Sequence, residues 1–245
     1  MKVVFKSVVA LAVLAGEADA DRRMYAETYE AVTAPKGELD VESWTTYGRA
    51  GELDGGPASR GVRQMIELEY GLTDRWDVAV YNMFDGIIGG DTQSGYAGLK
   101  LETRYRPTLR GEWIVDPVFY MELQQRFRGD AAQSAELKLI VAKDFGRTNV
   151  AANVAFEGER LTDGSFNPEL EWAVGAAYAL PRIAFGAETF GKYETGGARA
   201  WIGPAVSVAG TPPHMRGIWL TLGGGVGLTS VSDSFYLRAI LGLQF

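Results

Sequence analysis

The stretch Ser234-Phe-Tyr-Leu-Arg-Ala-Ile-Leu-Gly-Leu-Gln-Phe245 decides how the rest of the chain is read. Phe235, Leu237, Ala239, Leu241, Leu243 and Phe245 share one parity; Tyr236, Arg238, Ile240, Gly242 and Gln244 share the other. A β-strand sends alternate side chains to opposite faces. One face here is wholly apolar with an aromatic at each end, and the other is mixed with a charge at its middle. Such a strand closes either a soluble sandwich or a barrel whose outer side meets lipid. The stretch alone leaves both open.

Working outward, the other end of the chain reads as an export signal. Lys2 and Lys6 precede the apolar run 8–15, and Ala18-Asp19-Ala20 presents small residues for cleavage after Ala20. The run is too short for a membrane-spanning helix, which needs ~20 apolar residues. The chain has no cysteine, which excludes disulfides and a lipid anchor on cysteine. Its net charge of −7 argues against nucleic acid and against attachment to an anionic lipid surface. The organisation expected is a signal peptide at 1–20, a short periplasmic arm at 21–36 and a β-barrel at 37–245.

Twelve strands are expected, at 38–47, 62–70, 76–84, 96–106, 114–127, 135–145, 149–157, 169–180, 183–193, 198–209, 218–228 and 234–245, with ten or fourteen if a weak strand merges or splits. The longer connections 48–60, 85–94 and 158–168 fall on one side. The shortest turns fall on the other, with 210–217 an exception. Pro117 and Pro204 each remove a ladder donor, so bulges are expected beside them.

Carrying the parity of the last strand through the others gives each strand an apolar and a polar side. Leu99, Leu101, Thr103 and Tyr105 oppose Lys100, Glu102, Arg104 and Arg106; Leu137, Leu139 and Val141 oppose Glu136 and Lys138. Aromatics of the apolar parity fall into two groups. Tyr70, Trp76, Tyr105, Phe145, Tyr178 and Phe245 lie at one end, and Tyr47, Phe84, Phe127, Phe156, Trp172 and Phe235 at the other. Two aromatic girdles around an apolar band are what a bilayer requires of a barrel. The fold expected is an all-β, transmembrane, antiparallel up-and-down barrel, with an even strand count and both termini periplasmic.

Chemistry is harder to find. The one histidine, His214, lies in a connection, which leaves an outer-membrane enzyme without a base of suitable pKa near outer-leaflet substrates. There is no metal-ligand spacing, no Gly-x-Ser-x-Gly and no phosphate loop, so no catalytic residue, cofactor or metal is assigned. Gly223-Gly-Gly225 reads as a close-packing or bend site. The surface left for function is the lumen. Its candidates are Glu67, Glu69, Lys100, Glu102, Arg104, Arg106, Glu122, Gln124, Arg126, Glu136, Lys138, Glu171, Glu188, Lys192, Arg199 and Arg238. Their mixed signs fit either a paired network that braces the wall or a charged constriction that selects a solute.

The segments Lys36-Gly-Glu-Leu-Asp-Val-Glu-Ser-Trp44 and Glu69-Tyr-Gly-Leu-Thr-Asp-Arg-Trp-Asp77, with the Phe-terminated last strand, resemble the outer-membrane barrels grouped with the meta-pathway phenol-degradation proteins. The resemblance implies a porin-like transporter of a Gram-negative outer membrane, passing aromatic or other small organic solutes. It also implies contact with outer-membrane lipid and assembly through the strand ending at Phe245. It transfers no ligand residue, and its motifs mark turns and strands. The alternative is a structural or surface-interaction barrel whose lumen is closed by its charge network.

Overall fold

The computed structural model describes residues 23–49, 60–88, 94–128, 131–210 and 217–245. The export signal, His214 and most of the 48–60 connection lie outside them. Twelve strands follow one another: β1 (Leu39–Arg49), β2 (Arg60–Thr73), β3 (Trp76–Ile88), β4 (Ser94–Tyr105), β5 (Asp116–Arg126), β6 (Ala131–Phe145), β7 (Thr148–Leu161), β8 (Phe166–Ala179), β9 (Ile183–Glu194), β10 (Gly197–Ala209), β11 (Ile218–Gly227) and β12 (Phe235–Gln244). Each is antiparallel to the next, and β12 returns to β1 to close the barrel. Closure leaves no unpaired edge. Trp44 sits opposite Ile240 and Tyr47 opposite Leu237 across the seam.

Parity decides the faces. Leu237, Leu241 and Phe245 point outward and are exposed, while Ile240 between them is wholly buried inside. The same holds round the barrel, where Leu101, Leu137, Val154 and Val174 form part of an exposed apolar outer wall. Tyr70, Trp76, Tyr105, Phe145, Tyr178 and Phe245 ring the outer surface at the end where β1 begins and β12 finishes, called here the terminal end. Phe84, Phe127, Phe156 and Phe235 ring the far end, joined by Tyr96, Phe166 and Tyr193. Tyr47 and Trp172, expected in the same ring, are half-buried, the Trp172 indole lying over Gly191.

Three expectations are corrected. Strand five begins at Asp116, not 114: the preceding segment leaves Trp113 and Ile114 exposed, and the Asp116 carboxylate accepts the Gly111 N–H at 2.6 Å. The connection expected at 158–168 is a hairpin tip at 162–165, since β7 runs to Leu161 and β8 starts at Phe166. The bulges are not at the prolines. Pro117 pairs in register with Val141, and the β10–β11 ladder skips Pro204 yet keeps its register between Ile202–Val226 and Ala205–Gly223. The register shifts instead at Gly71/Thr73, Met83/Phe84 and Ala131/Gln133. At the second of these Gly98 holds φ +153°, a conformation that glycine adopts cheaply. The bulge lets Tyr96 rejoin the outer face.

Residues 23–36 form no regular element and pass inside the barrel, with Tyr25, Ala26 and Thr28 almost fully buried. They fill the terminal-end half of the lumen.

Candidate functional site

The inner segment is a plug held through its backbone and through Met24, Tyr25, Tyr29 and Ala31, which pack into one buried cluster with Trp44, Tyr81 and Tyr120. The Glu188 carboxylate of β9 accepts the N–H groups of Ala26 (3.0 Å), Glu27 (2.9 Å) and Thr28 (2.9 Å), and the Thr28 hydroxyl at 3.1 Å. Asn153 of β7 accepts the Tyr29 N–H at 2.6 Å and donates to its carbonyl at 2.9 Å. Thr221 donates to the Arg23 carbonyl, and the Tyr25 hydroxyl donates to the Asn149 carbonyl at 2.9 Å. A chain without regular structure can lie in a dry interior only if its N–H and C=O groups find such partners. Small residues make room for it. A Cβ on Gly175 would press the Tyr25 ring, and one on Gly223 would overlap the Ala26 methyl.

The segment leaves the barrel past the β2–β3 turn. Asp77 accepts the Ala34 N–H at 2.9 Å, and Asp74 accepts the Lys36 N–H at 3.1 Å. Gly71 exchanges backbone hydrogen bonds with Gly37 and Glu38, and a side chain there would strike the Pro35 carbonyl. The Tyr70–Asp77 motif therefore does more than turn the chain: it anchors the plug.

Charges continue the anchoring. Arg23 lies over the rings of Tyr29 (4.2 Å) and Trp44 (4.5 Å). Arg104 of β4 is bidentate to Asp77 (3.1 and 2.9 Å) and also binds Glu69. Glu102 accepts the hydroxyls of Tyr81 (2.7 Å) and Tyr120 (3.0 Å). Glu27 pairs with Arg238 at 2.7 Å. Burial nevertheless lifts the Glu27 carboxyl to about 7; Arg238 pulls it down, and Glu188 pushes it up.

Above the plug, the far-end half of the lumen holds a vestibule of about 370 Å³, floored by Glu27 and Tyr29. Register builds its wall. Glu102, Glu122, Glu136, Glu157 and Glu169 are direct cross-strand neighbours from β4 to β8. An adjacent row carries Arg104, Tyr120 and Lys138, then Glu171, Lys192 and Arg199. An acidic row and a mixed row, in which Ala155 stands between Lys138 and Glu171, thus run side by side along the wall. On β9, β10 and β12 the wall turns aromatic. Phe190 stacks on Trp201 (5.6 Å, 17°) and meets Tyr236 edge-on (5.6 Å).

Of the residues expected in the lumen, Lys100, Glu122, Gln124, Arg126, Glu136, Lys138, Glu171, Lys192 and Arg238 line the vestibule. Glu67, Glu69, Glu102 and Arg104 lie deeper, and Glu188 lies beneath the plug. Arg199 sits at the far rim on Glu194 (2.6 Å). Arg106 is past the end of β4, bonded to the Asp74 carbonyl of the neighbouring turn at 2.9 Å. Sequence reasoning left out Asp85 and Glu159, which sit in extensions of β3 and β7 past the expected strand ends at 84 and 157, and Arg63 and Glu169, which lie at the ends of expected strands. It also left out Asn149 and Asn153, whose neutral amides gave no charge pattern. The absence of metal-ligand spacing does not carry over to space: Glu157, Glu169 and Glu171 bring carboxylate oxygens within 4.8 Å of one another.

No protein-family model matches the chain, and no curated protein matches its sequence. Solved structures do match in shape. An outer membrane channel from Pseudomonas putida F1 is 12% identical with a TM-score of 0.62, covering 88% of this chain and 98% of its own. The KdgM porin is 9% identical at TM-score 0.56 (84% and 98%), and the NanC porin 12% at 0.53 (84% and 98%). The KdgM porin has also been solved in complex with disordered oligogalacturonate. The barrel is therefore of the twelve-stranded kind seen in these porins; identities this low speak to the fold alone.

Proposed function

We propose that the chain is a passive outer-membrane channel for small solutes, closed at rest by residues 23–36. One observation carries this reading: a vestibule lined by acidic, basic and aromatic groups stands directly above a segment without regular structure whose backbone N–H groups are taken by wall side chains. The exposed apolar wall between two aromatic rings supports a place in a bilayer. The terminal end then faces the periplasm, the vestibule faces outward, and export with cleavage after Ala20 delivers the chain. The assembly machinery reads β12. The Tyr70–Asp77 motif supports kinship with the meta-pathway phenol-degradation group.

The rival reading is a structural barrel, and the plug itself favours it. Planar-bilayer recording on the full chain and on a variant lacking 23–35 separates the two. The channel reading expects small or rare openings from the full chain and a larger, steady conductance from the deletion. A deletion variant that keeps heat-modifiable gel mobility but stays silent leaves the structural barrel.

A further inference from the structure

The net charge of −7 is spread unevenly. The terminal-end connections between β2 and β9 each carry arginine: Arg75, then Arg106 and Arg110, then Arg147, then Arg182. The described residues of the far-end connections hold Arg128 against Asp163 and Asp233. Two of the terminal-end arginines are tied together. Arg75 donates to the Pro107 carbonyl (3.3 Å), the Arg106 guanidinium donates to the Asp74 carbonyl (2.9 Å), and the Arg106 N–H donates to the Arg75 carbonyl (2.8 Å). A carbonyl partner leaves a guanidinium its full charge, and the planar fork matches phosphate oxygens. The acids of the same connections accept from the backbone: Asp74 takes the Lys36 N–H (3.1 Å) and Glu112 the Leu109 N–H (2.8 Å).

This pair stands at the lip of a furrow of about 760 Å³ in the outer wall. Arg75 adjoins Trp76, Arg106 adjoins Tyr105, and the two rings belong to cross-strand neighbours. The furrow runs between two rows of outward side chains. One row is Trp76, Tyr105, Phe119, Leu139 and Val154; the other is Thr103, Met121, Leu137, Phe156 and Leu170. Strand tilt makes such rows climb the wall. The furrow therefore starts at the terminal-end aromatic ring and finishes beside Phe156 of the far ring. From β3 to β8 it crosses strands spaced ~4.8 Å apart, a path of about 24 Å that suits a fatty acyl chain. Any lipid chain could lie in an apolar furrow, but two arginines at its lip favour a lipid with an anionic head. A second copy laid on this wall by two-fold symmetry would set its own arginines against these.

We propose that the furrow is a binding site for an anionic glycerophospholipid, with the phosphodiester on Arg75 and Arg106 and one acyl chain between the two rows. The site rests on the bilayer placement proposed above and not on conduction. Native mass spectrometry of the full chain, released from non-ionic detergent micelles, counts what stays bound. The probes are a phosphatidylglycerol, the phosphatidylcholine with the same chains, and glycerol 3-phosphate. Phosphatidylglycerol is retained at about tenfold lower concentration than phosphatidylcholine, and glycerol 3-phosphate leaves no adduct. Arg75→Gln with Arg106→Gln brings phosphatidylglycerol down to the level of phosphatidylcholine. Met121→Trp, which fills the furrow, weakens retention of both lipids. Equal retention of the two lipids by the unsubstituted protein overturns the assignment, whatever the variants do. So does glycerol 3-phosphate held as tightly as the lipid, a preference that survives in the double variant, or a dimer that excludes lipid. Preference for phosphatidylglycerol with a silent planar bilayer keeps the site and sinks the channel; conduction with no lipid preference does the reverse.

Discussion

Glu188 and Arg104 show how one buried charge can organise several backbone and side-chain groups. Glu188 is 2% exposed, and its two oxygens take three consecutive N–H groups of the plug. Each donor left without a partner costs ~1–3 kcal/mol, so Glu188→Ala should undock the plug while the barrel persists. Trypsin should then cleave at Arg23 or Lys36 at least tenfold faster than in the unsubstituted protein; an unchanged rate would show that the carboxylate does not hold the segment. Arg104 stands between Glu69 and Asp77, all three buried. Removing it strands two carboxylates, and breaking a buried pair this way costs roughly 3–5 kcal/mol. Arg104→Ala should lower the temperature at which the compact gel form is lost, whereas Arg106→Ala, at an exposed turn contact, should not.

At the scale of elements, the plug and the strand extensions matter most. The plug depends on glycines that clear its path. Gly223→Val would drive a side chain into Ala26, so it should raise conductance much as deletion of 23–35 does, with barrel mobility on gels unchanged. Titration of Glu27 adds a pH dependence. Docking lifts its carboxyl from the ordinary 4.5 to about 7, burial being the main cause, against the opposing pull of Arg238 and Lys138 and alongside Glu188 and Glu171. A raised acid pKa means the docked state holds a proton the undocked state releases. Docking is thus strongest below pH 4.5 and weakens as pH climbs through 7. Conductance should rise over that interval, and Glu27→Gln should flatten the rise. The extensions explain the misread connections. In Glu157-Gly-Glu-Arg160 the alternation fails, because beyond the apolar band both faces of a strand meet water. Yet β7 and β8 still pair there, so period-two reasoning stops where the lipid-facing band does and not where the strand does.

For the whole molecule, twelve strands, their order and their closure followed from parity, because a lipid-facing wall forces every strand to repeat one pattern. Phe245, Leu241 and Leu237 on the outside, with Ile240 inside, restate that rule on the strand where it was first read. The vestibule was legible only in part. Lys100, Glu136 and Lys138 could be assigned inward from their strands, but cross-strand register alone says that Glu136 faces Glu157 and Glu157 faces Glu169. By itself the sequence determined the architecture and the sign of each face, since alternation is a local property of the backbone. Tertiary structure decided what fills the lumen and which charges pair across it. The plug reaches Glu188 across 160 residues of chain separation, and pairing between charges on different strands depends on distances that no single strand encodes.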